Sequence, residues 1–210
     1  MVIAVLANDA LKEEFLSKKI AEGTEIVWAD GIRSLAIIEA DVYFDLLFEY
    51  SPDRIAALKK LLPKPVIINS PVYTLKDTDL SFIRINGWPT MFARDIAEVA
   101  GDAGKISDVF DRLEWQYQLV PDITGMVTPR IVSMIINEAW YTFGDNTSTK
   151  EEIDVAMQLG TNYPFGPFEW GEKIGIQNIM LLLKELQRTD ERYTVAPALL
   201  NEMVADGADS

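Results

Sequence analysis

Residues 149–175 read TKEEIDVAMQLGTNYPFGPFEWGEKIG, and this stretch decides how the second half of the chain is built. Thr149 is placed to cap a helix, with Glu152 three residues on to complete a capping box. Ile153, Ala156 and Met157 then fall on one helical face, and Gly160 is the expected stop. Tyr163-Pro164-Phe165-Gly166-Pro167-Phe168 sets two prolines and a glycine among three aromatics. Such a run is a fixed corner. Ordering it is costly unless its rings are covered, so the corner is expected at the centre of a helical core.

Helical spacing continues on both sides. From about Asp122 onward the chain reads helix after helix, with Val127, Ile131, Met134 and Ile135 on one side of a segment from Met126 to Phe143. Ile179, Leu182, Leu183 and Leu186 repeat at helical spacing, and Pro197 to Val204 forms a last short helix before a polar DGADS tail that should fray. The first half has another rhythm. Short apolar runs at 2–6, 25–28, 42–48, 66–68 and 82–85 alternate with amphipathic stretches, among them an expected helix from Met91 to Ala100. Continuous apolar strands separated by helices mean βαβ units in a doubly wound, parallel α/β sheet. The period changes without a linker, giving an α/β domain over 1–121 and an all-α domain over 122–210.

Composition narrows the function. The 210 residues are 49% hydrophobic and carry a net charge of −14, which argues against nucleic acid and anionic membranes as partners. No apolar run approaches the roughly 18–20 residues that cross a bilayer. The opening MVIAVLAN reads as a strand and not as a signal peptide. Cysteine is absent, which fits a cytoplasmic protein. Histidine is absent as well, and this removes Ser-His-Asp triads, His–carboxylate dyads and His-based metal sites together. Asp77 and Asp79 form a lone D-x-D that reads as turn chemistry, so no metal is expected.

A parallel sheet that starts at residue 2 invites a test for dinucleotide binding. The first strand should run into G-x-G-x-x-G, where glycines let the backbone approach a pyrophosphate. Here the run is Leu6-Ala7-Asn8-Asp9-Ala10-Leu11, without a glycine. Asn8 is the polar group left at that turn. Asp30, after the second strand, stands where an acidic residue would hold a ribose.

Laid out in this way, the chain resembles the 3-hydroxyacyl-CoA dehydrogenase family. Thr149 to Asp154, Ala156-Met157, Leu159-Gly160, Tyr163-Pro164 and Gly166-Pro167-Phe168-Glu169 look like that family's SKEDIDxAMxLGxxYPxGPFE signature. Asp122, Gly125, Arg130 and Asn137-Glu138-Ala139 match its DxPGFxxNRxxxxxxNEA stretch. The resemblance implies a Rossmann-like domain followed by an all-α domain of the 6-phosphogluconate dehydrogenase C-terminal type, through which family members dimerise. It also implies an NAD-dependent oxidoreductase of fatty acid metabolism whose base is a histidine oriented by a glutamate.

The departures are concentrated in that chemistry. With the prolines aligned, Arg84-Ile85-Asn86-Gly87-Trp88-Pro89 puts Ile85 at the histidine position. Glu98 fits the orienting glutamate, read on a helix surface. Pro129 replaces the amide that precedes Arg130, and Ser70 is the substrate-contacting serine interrupted by Pro71. Gly31 to Asp41 leaves room for one small helix where the family carries a longer insertion. Lys76, Arg84 and Tyr73 near the strand ends read as rim or packing residues. Trp88 is expected over the cleft, where a planar ligand would stack. The expectation is a shortened family member that has lost NAD-dependent activity and acts as a binding or structural homodimer through 122–210. The competing expectation is an oxidoreductase on a 3-hydroxyacyl-CoA-like substrate with an atypical cofactor mode and a relocated base.

Overall fold

The computed structural model describes residues 1–208, with side chains through Met203. Two compact units divide at Val127/Thr128, a few residues beyond the change of period in the sequence. The first is a seven-stranded sheet in the order β2-β1-β3-β4-β5-β6-β7. Its elements in chain order are β1 (Val2–Leu6), α1 (Asp9–Ser17), β2 (Glu25–Ala29), α2 (Ile32–Leu35), β3 (Val42–Asp45) and α3 (Pro52–Lys59). There follow β4 (Val66–Asn69), β5 (Ile83–Ile85), β6 (Ile96–Ala100), α4 (Ala103–Leu113) and β7 (Gln116–Leu119). All neighbouring strands run parallel except β5 and β6, where Ile85 pairs antiparallel with Val99.

Central strands are apolar on both faces, so helices cover both sides of the sheet. One face gathers Ile3, Val5, Phe15, Phe44 and Trp115, and the other gathers Ala4, Leu6, Leu58, Ile68 and Phe82. Phe15 of α1 is fully buried and meets the rings of Trp28, Phe44, Phe92 and Trp115 at centroid distances of 5.2–5.9 Å. These edge and tilted contacts contribute roughly 0.5–1.5 kcal/mol each beyond the area they bury.

The expected helix from Met91 to Ala100 is instead a turn followed by strand β6. Alanine and glutamate favour a helix locally, but Ala97, Val99 and Ala100 are buried between β5 and β7, and sheet pairing outweighs that weak preference. Glu98 therefore projects from a strand. Two elements absent from the sequence reading, α4 and β7, complete the sheet.

The second unit holds α5 (Thr128–Gly144), α6 (Lys150–Thr161), α7 (Pro167–Ile174), α8 (Ile176–Gln187), a 3-10 turn at Glu191–Tyr193, and α9 (Pro197–Ala208). The last helix outruns its expected end at Val204, and the remainder of the tail lies outside the described residues. Thr149 caps α6 with the reciprocal Glu152 bond. Gly160 does not stop α6. The helix continues to Thr161 and ends on Asn162 in the left-handed region, φ 57°.

The aromatic corner is only partly central. Phe168 and Trp170 are buried, with Phe168 against Trp140 at 5.1 Å, whereas Tyr163 and Phe165 lie half-buried against Trp170. Asp154 anchors the turn by accepting from the backbone N–H groups of Phe168 at 2.8 Å and Glu169 at 2.9 Å. Its carboxylate thus satisfies the first turn of α7 and complements the helix dipole.

The α6 cap is also a pH-dependent element. The Ser148 hydroxyl and the Thr149 backbone N–H hold the Glu152 carboxyl below its ordinary value. A depressed folded-state pKa contributes stability above the unfolded value, about 4.3, which is lost as pH falls through the folded one. Glu152→Ala is expected to unfold at lower urea than the wild type at pH 7 and at the same urea at pH 2. A gap that stays constant across this range would refute the assignment.

Candidate functional site

In a parallel sheet the crevice for ligands opens at the carboxyl ends of the strands where the order reverses, which here is between β1 and β3. Asn8 stands at the end of β1. Its Oδ1 accepts from the Leu11 backbone N–H at 3.0 Å, so Asn8 is the N-cap of α1. That N–H is one of the donors that a dinucleotide fold turns toward a pyrophosphate. Asp9 follows with its side chain 98% exposed, adding negative charge at the same place. The residues present therefore do not fit a pyrophosphate at this turn. Asp30 lies exposed after β2, and its backbone N–H donates to the Ser34 hydroxyl at 3.0 Å in the start of α2.

The ends of β4, β5 and β6 are tied together by polar side chains that face inward. Arg84, read in the sequence as a rim residue, is fully buried. Its Nε donates to the Ser70 carbonyl at 2.8 Å, Nη2 to the Pro71 carbonyl at 3.0 Å, and Nη1 to Asp122 Oδ1 at 2.5 Å. Burial pulls the guanidinium below its ordinary value, and the hydrogen bond to Asp122 is the largest opposing influence. Asp122 also accepts from the Leu75 N–H at 3.1 Å. Ser70 is buried, and its hydroxyl donates to the Tyr73 carbonyl at 2.8 Å, which commits it to the loop.

Asn69 closes the neighbouring gap. Its amide donates to the carbonyls of Leu46 and Gly87, both at 3.0 Å, and its Oδ1 accepts from the Gly87 N–H at 2.9 Å. A Cβ at Gly87 would lie 2.9 Å from Asn69 Cγ, so the clasp requires glycine there. Trp88 is not open over a cleft. It is 3% exposed and belongs to the packed interior. Tyr73 stacks on the half-exposed Tyr50 at 4.3 Å, making that pair the exposed aromatic surface at the strand ends.

Glu98 faces Asn86. Their side chains approach at 3.5 Å (Nδ2 to Oε2), the Asn86 backbone N–H donates to the Glu98 carbonyl at 2.9 Å, and Glu98 Oε1 accepts from the Val127 N–H. Ile85 is fully buried in the apolar layer beside Val99. At β3, Arg54 of α3 grips the buried Asp45 through two bonds of 2.7 and 2.5 Å. Burial pushes the Asp45 carboxyl up, and Arg54 acts against that shift. Both pairs are structural. Among the described residues no group of three or more Asp or Glu side chains is arranged to hold a metal ion.

In the second unit, an apolar groove of about 870 Å³ runs along α5 beside α6. Arg130 lines one end, where its Nη1 donates to the Tyr193 hydroxyl at 3.0 Å. Ile131, Met134, Ile135, Glu138 and Glu152 are among the other residues that line the groove.

Residues 125–209 match the model of the 3-hydroxyacyl-CoA dehydrogenase C-terminal domain. The match covers less than half of the chain, and the resemblance to the 3-hydroxyacyl-CoA dehydrogenase family rests on this segment. A 3-hydroxyadipyl-CoA dehydrogenase of Escherichia coli (strain K12) is 45% identical over 76 residues, covering 35% of this chain and 16% of that protein. A 3-hydroxybutyryl-CoA dehydrogenase of Clostridioides difficile is 40% identical over 87 residues, covering 40% of this chain and 31% of that protein. The chain thus matches between a sixth and a third of the length of these curated relatives. The structure of (S)-3-hydroxybutyryl-CoA dehydrogenase PaaH1 from Ralstonia eutropha superimposes with a TM-score of 0.71 over 98% of this chain and 94% of that chain, at 18% identity. M. tuberculosis FadB2 gives 0.73 over 97% and 93%, at 13% identity. At these identities the likeness is one of fold.

Against the 3-hydroxyacyl-CoA dehydrogenase pattern, the residue whose side chain faces Glu98 is Asn86, not residue 85. Aligning the prolines put Ile85 opposite the glutamate, but in β5 alternate side chains point to opposite faces, and Ile85 takes the apolar one. Asn69, Arg84, Asn86 and Asp122 were missed as a group. A lone arginine inside the apolar run Phe82-Ile83-Arg84-Ile85 was the available signal.

Proposed function

We propose that this chain is a divergent, shortened 3-hydroxyacyl-CoA dehydrogenase-family protein that has lost ordinary NAD-dependent activity. In this reading it serves as a binding or structural homodimer through 122–210, in the cytoplasm. The observation that carries it is the Asn86–Glu98 contact. A family dehydrogenase would need a base that takes the hydroxyl proton as hydride leaves, and that base must titrate near neutral pH. An amide has no such equilibrium, and a carboxylate facing it has no imidazole to orient. The capped turn at Asn8 supports the same reading, because the Leu11 N–H is already bonded to the Asn8 side chain.

The experiment is direct. NAD and NADH are titrated while tryptophan fluorescence is followed, and acetoacetyl-CoA reduction is then assayed. No saturable binding below millimolar concentration and no turnover above the protein-free rate are expected. Micromolar binding with turnover would overturn the proposal in favour of an oxidoreductase with a relocated base.

A further inference from the structure

Asn86 and Gly87 form the chain's one Asn-Gly pair, and every other asparagine is followed by a residue that carries a side chain. A glycine in second place leaves its backbone nitrogen unshielded, and that nitrogen can attack the carbonyl carbon of the asparagine side chain. A bond forms between Gly87 N and Asn86 Cγ, the Cγ–Nδ2 bond breaks, and Nδ2 leaves as ammonia. The Gly87 N–H proton passes to solvent as the leaving nitrogen takes one up. Water then opens the cyclic imide, at Cγ to give aspartate or at the backbone carbonyl to give isoaspartate. One water is consumed, one ammonia is released, and no electrons change hands.

In the folded chain each participant is held. Asn69, at the end of β4, clasps Gly87 from both sides: its Oδ1 accepts from the Gly87 N–H at 2.9 Å, and its Nδ2 donates to the Gly87 carbonyl at 3.0 Å. Ring closure has to turn the Gly87 N–H out of that bond. The Asn86 side chain is 5% exposed and pinned as well. Its Oδ1 accepts from the Trp88 N–H at 3.4 Å, and its Nδ2 donates to Met91 Sδ at 3.3 Å and approaches Glu98 Oε2 at 3.5 Å. The Asn86 backbone N–H, donating to the Glu98 carbonyl at 2.9 Å, ties the same residue to β6. We propose that Asn86–Gly87 is a self-deamidation site held shut by the Asn69 clasp, and that opening the clasp converts Asn86 to aspartate or isoaspartate. The group facing Glu98 then changes from an amide to a carboxylate. Facing carboxylates repel when both are ionised, and isoaspartate lengthens the backbone at the strand end, so conversion loosens β5 from β6. Asn69 is thus a positioning residue, and it guards the contact on which the proposed loss of activity rests. The conversion itself is read by mass, whether or not the chain turns over a substrate.

The test follows the full chain in warm, mildly alkaline buffer, by intact mass and by peptide mapping of residue 86 against the exposed Asn146, which precedes Thr147. Wild type unfolded in urea is expected to convert at residue 86 at least about tenfold faster than folded wild type, because reaction in the folded chain waits on local opening. Asn146 should change far less in either state. Asn69→Ala, with folding checked by circular dichroism, is expected to convert at residue 86 about tenfold faster than folded wild type. Losing one or two hydrogen bonds raises the open population by that order. If Asn69→Ala fails to fold, Asn69→Ser replaces it, since the shorter side chain cannot hold both groups of Gly87. An unfolded wild type that converts no faster at residue 86 than at Asn146 would overturn the site. A folded wild type that converts as fast as the unfolded chain, or a folded Asn69 variant that converts at the wild-type rate, would overturn the clasp.

Discussion

An Asp122→Ala chain is expected to lose about 3–5 kcal/mol of stability in the sheet unit, nearer the lower figure because the Asp122 side chain is 25% exposed. Arg84 has no exposed surface, and its donors are taken up by the carbonyls of Ser70, Pro71 and Ile123 and by the carboxylate of Asp122. The carbonyls satisfy geometry without neutralising charge. With the carboxylate gone, a guanidinium remains in a site whose burial already disfavours its charged form. Arginine cannot relieve this by releasing its proton at any ordinary pH. The structure must therefore open to admit water, and the Leu75 N–H loses its acceptor as well. The measurement is the urea midpoint at constant slope. Removing both charges in Arg84→Met/Asp122→Leu is expected to cost less than Asp122→Ala alone, because no unpaired ion is left behind. A loss below about 1 kcal/mol in Asp122→Ala, the range of an exposed pair, would show that Arg84 is solvated.

That network also shows where a sequence stops being legible. β1 to β5 could be read because their apolar runs are continuous, and the helical unit because its caps and spacing are local signals. Arg84 and Asp122 stand 38 residues apart in sequence, so nothing near Arg84 announces its partner. β6 was misread for the related reason that Ala97 and Glu98 favour a helix, while their strand state depends on β5 and β7. Glu98 was singled out in the sequence, but Asn86, the side chain facing it, was not. Sequence alignment fixes spacing along the chain, whereas the face a strand residue occupies depends on register. Trp88 was expected over a cleft because it stands at a strand end, but it is 3% exposed and belongs to the packed interior.

Gly166→Ala should destabilise the helical unit by about 3 kcal/mol, at the upper end of overpacking effects. The backbone there is ordinary, with φ −66° and ψ 157°, so alanine would adopt it without strain. Space forbids the substitution. A Cβ on residue 166 would sit 2.2 Å from both Cβ and Cγ of Asp154. Asp154 cannot simply swing aside, since its two oxygens hold the Phe168 and Glu169 N–H groups that begin α7. Either those charge-assisted bonds break or α7 moves off Trp140. In a unit of this size the cost corresponds to a fall in Tm of roughly 12–24 °C. A double-mutant cycle isolates the clash: Asp154→Gly alone loses the cap and some helix propensity, but in the Gly166→Ala background it also removes the atoms in collision. The double variant is therefore expected to be no less stable than Gly166→Ala, giving a coupling of at least about 1 kcal/mol. Simple additivity would mean that the two residues do not collide. If the coupling is found, the aspartate and the glycine of the signature are one device. The aspartate occupies the volume that the glycine leaves, and together they fix the corner from which α7 departs.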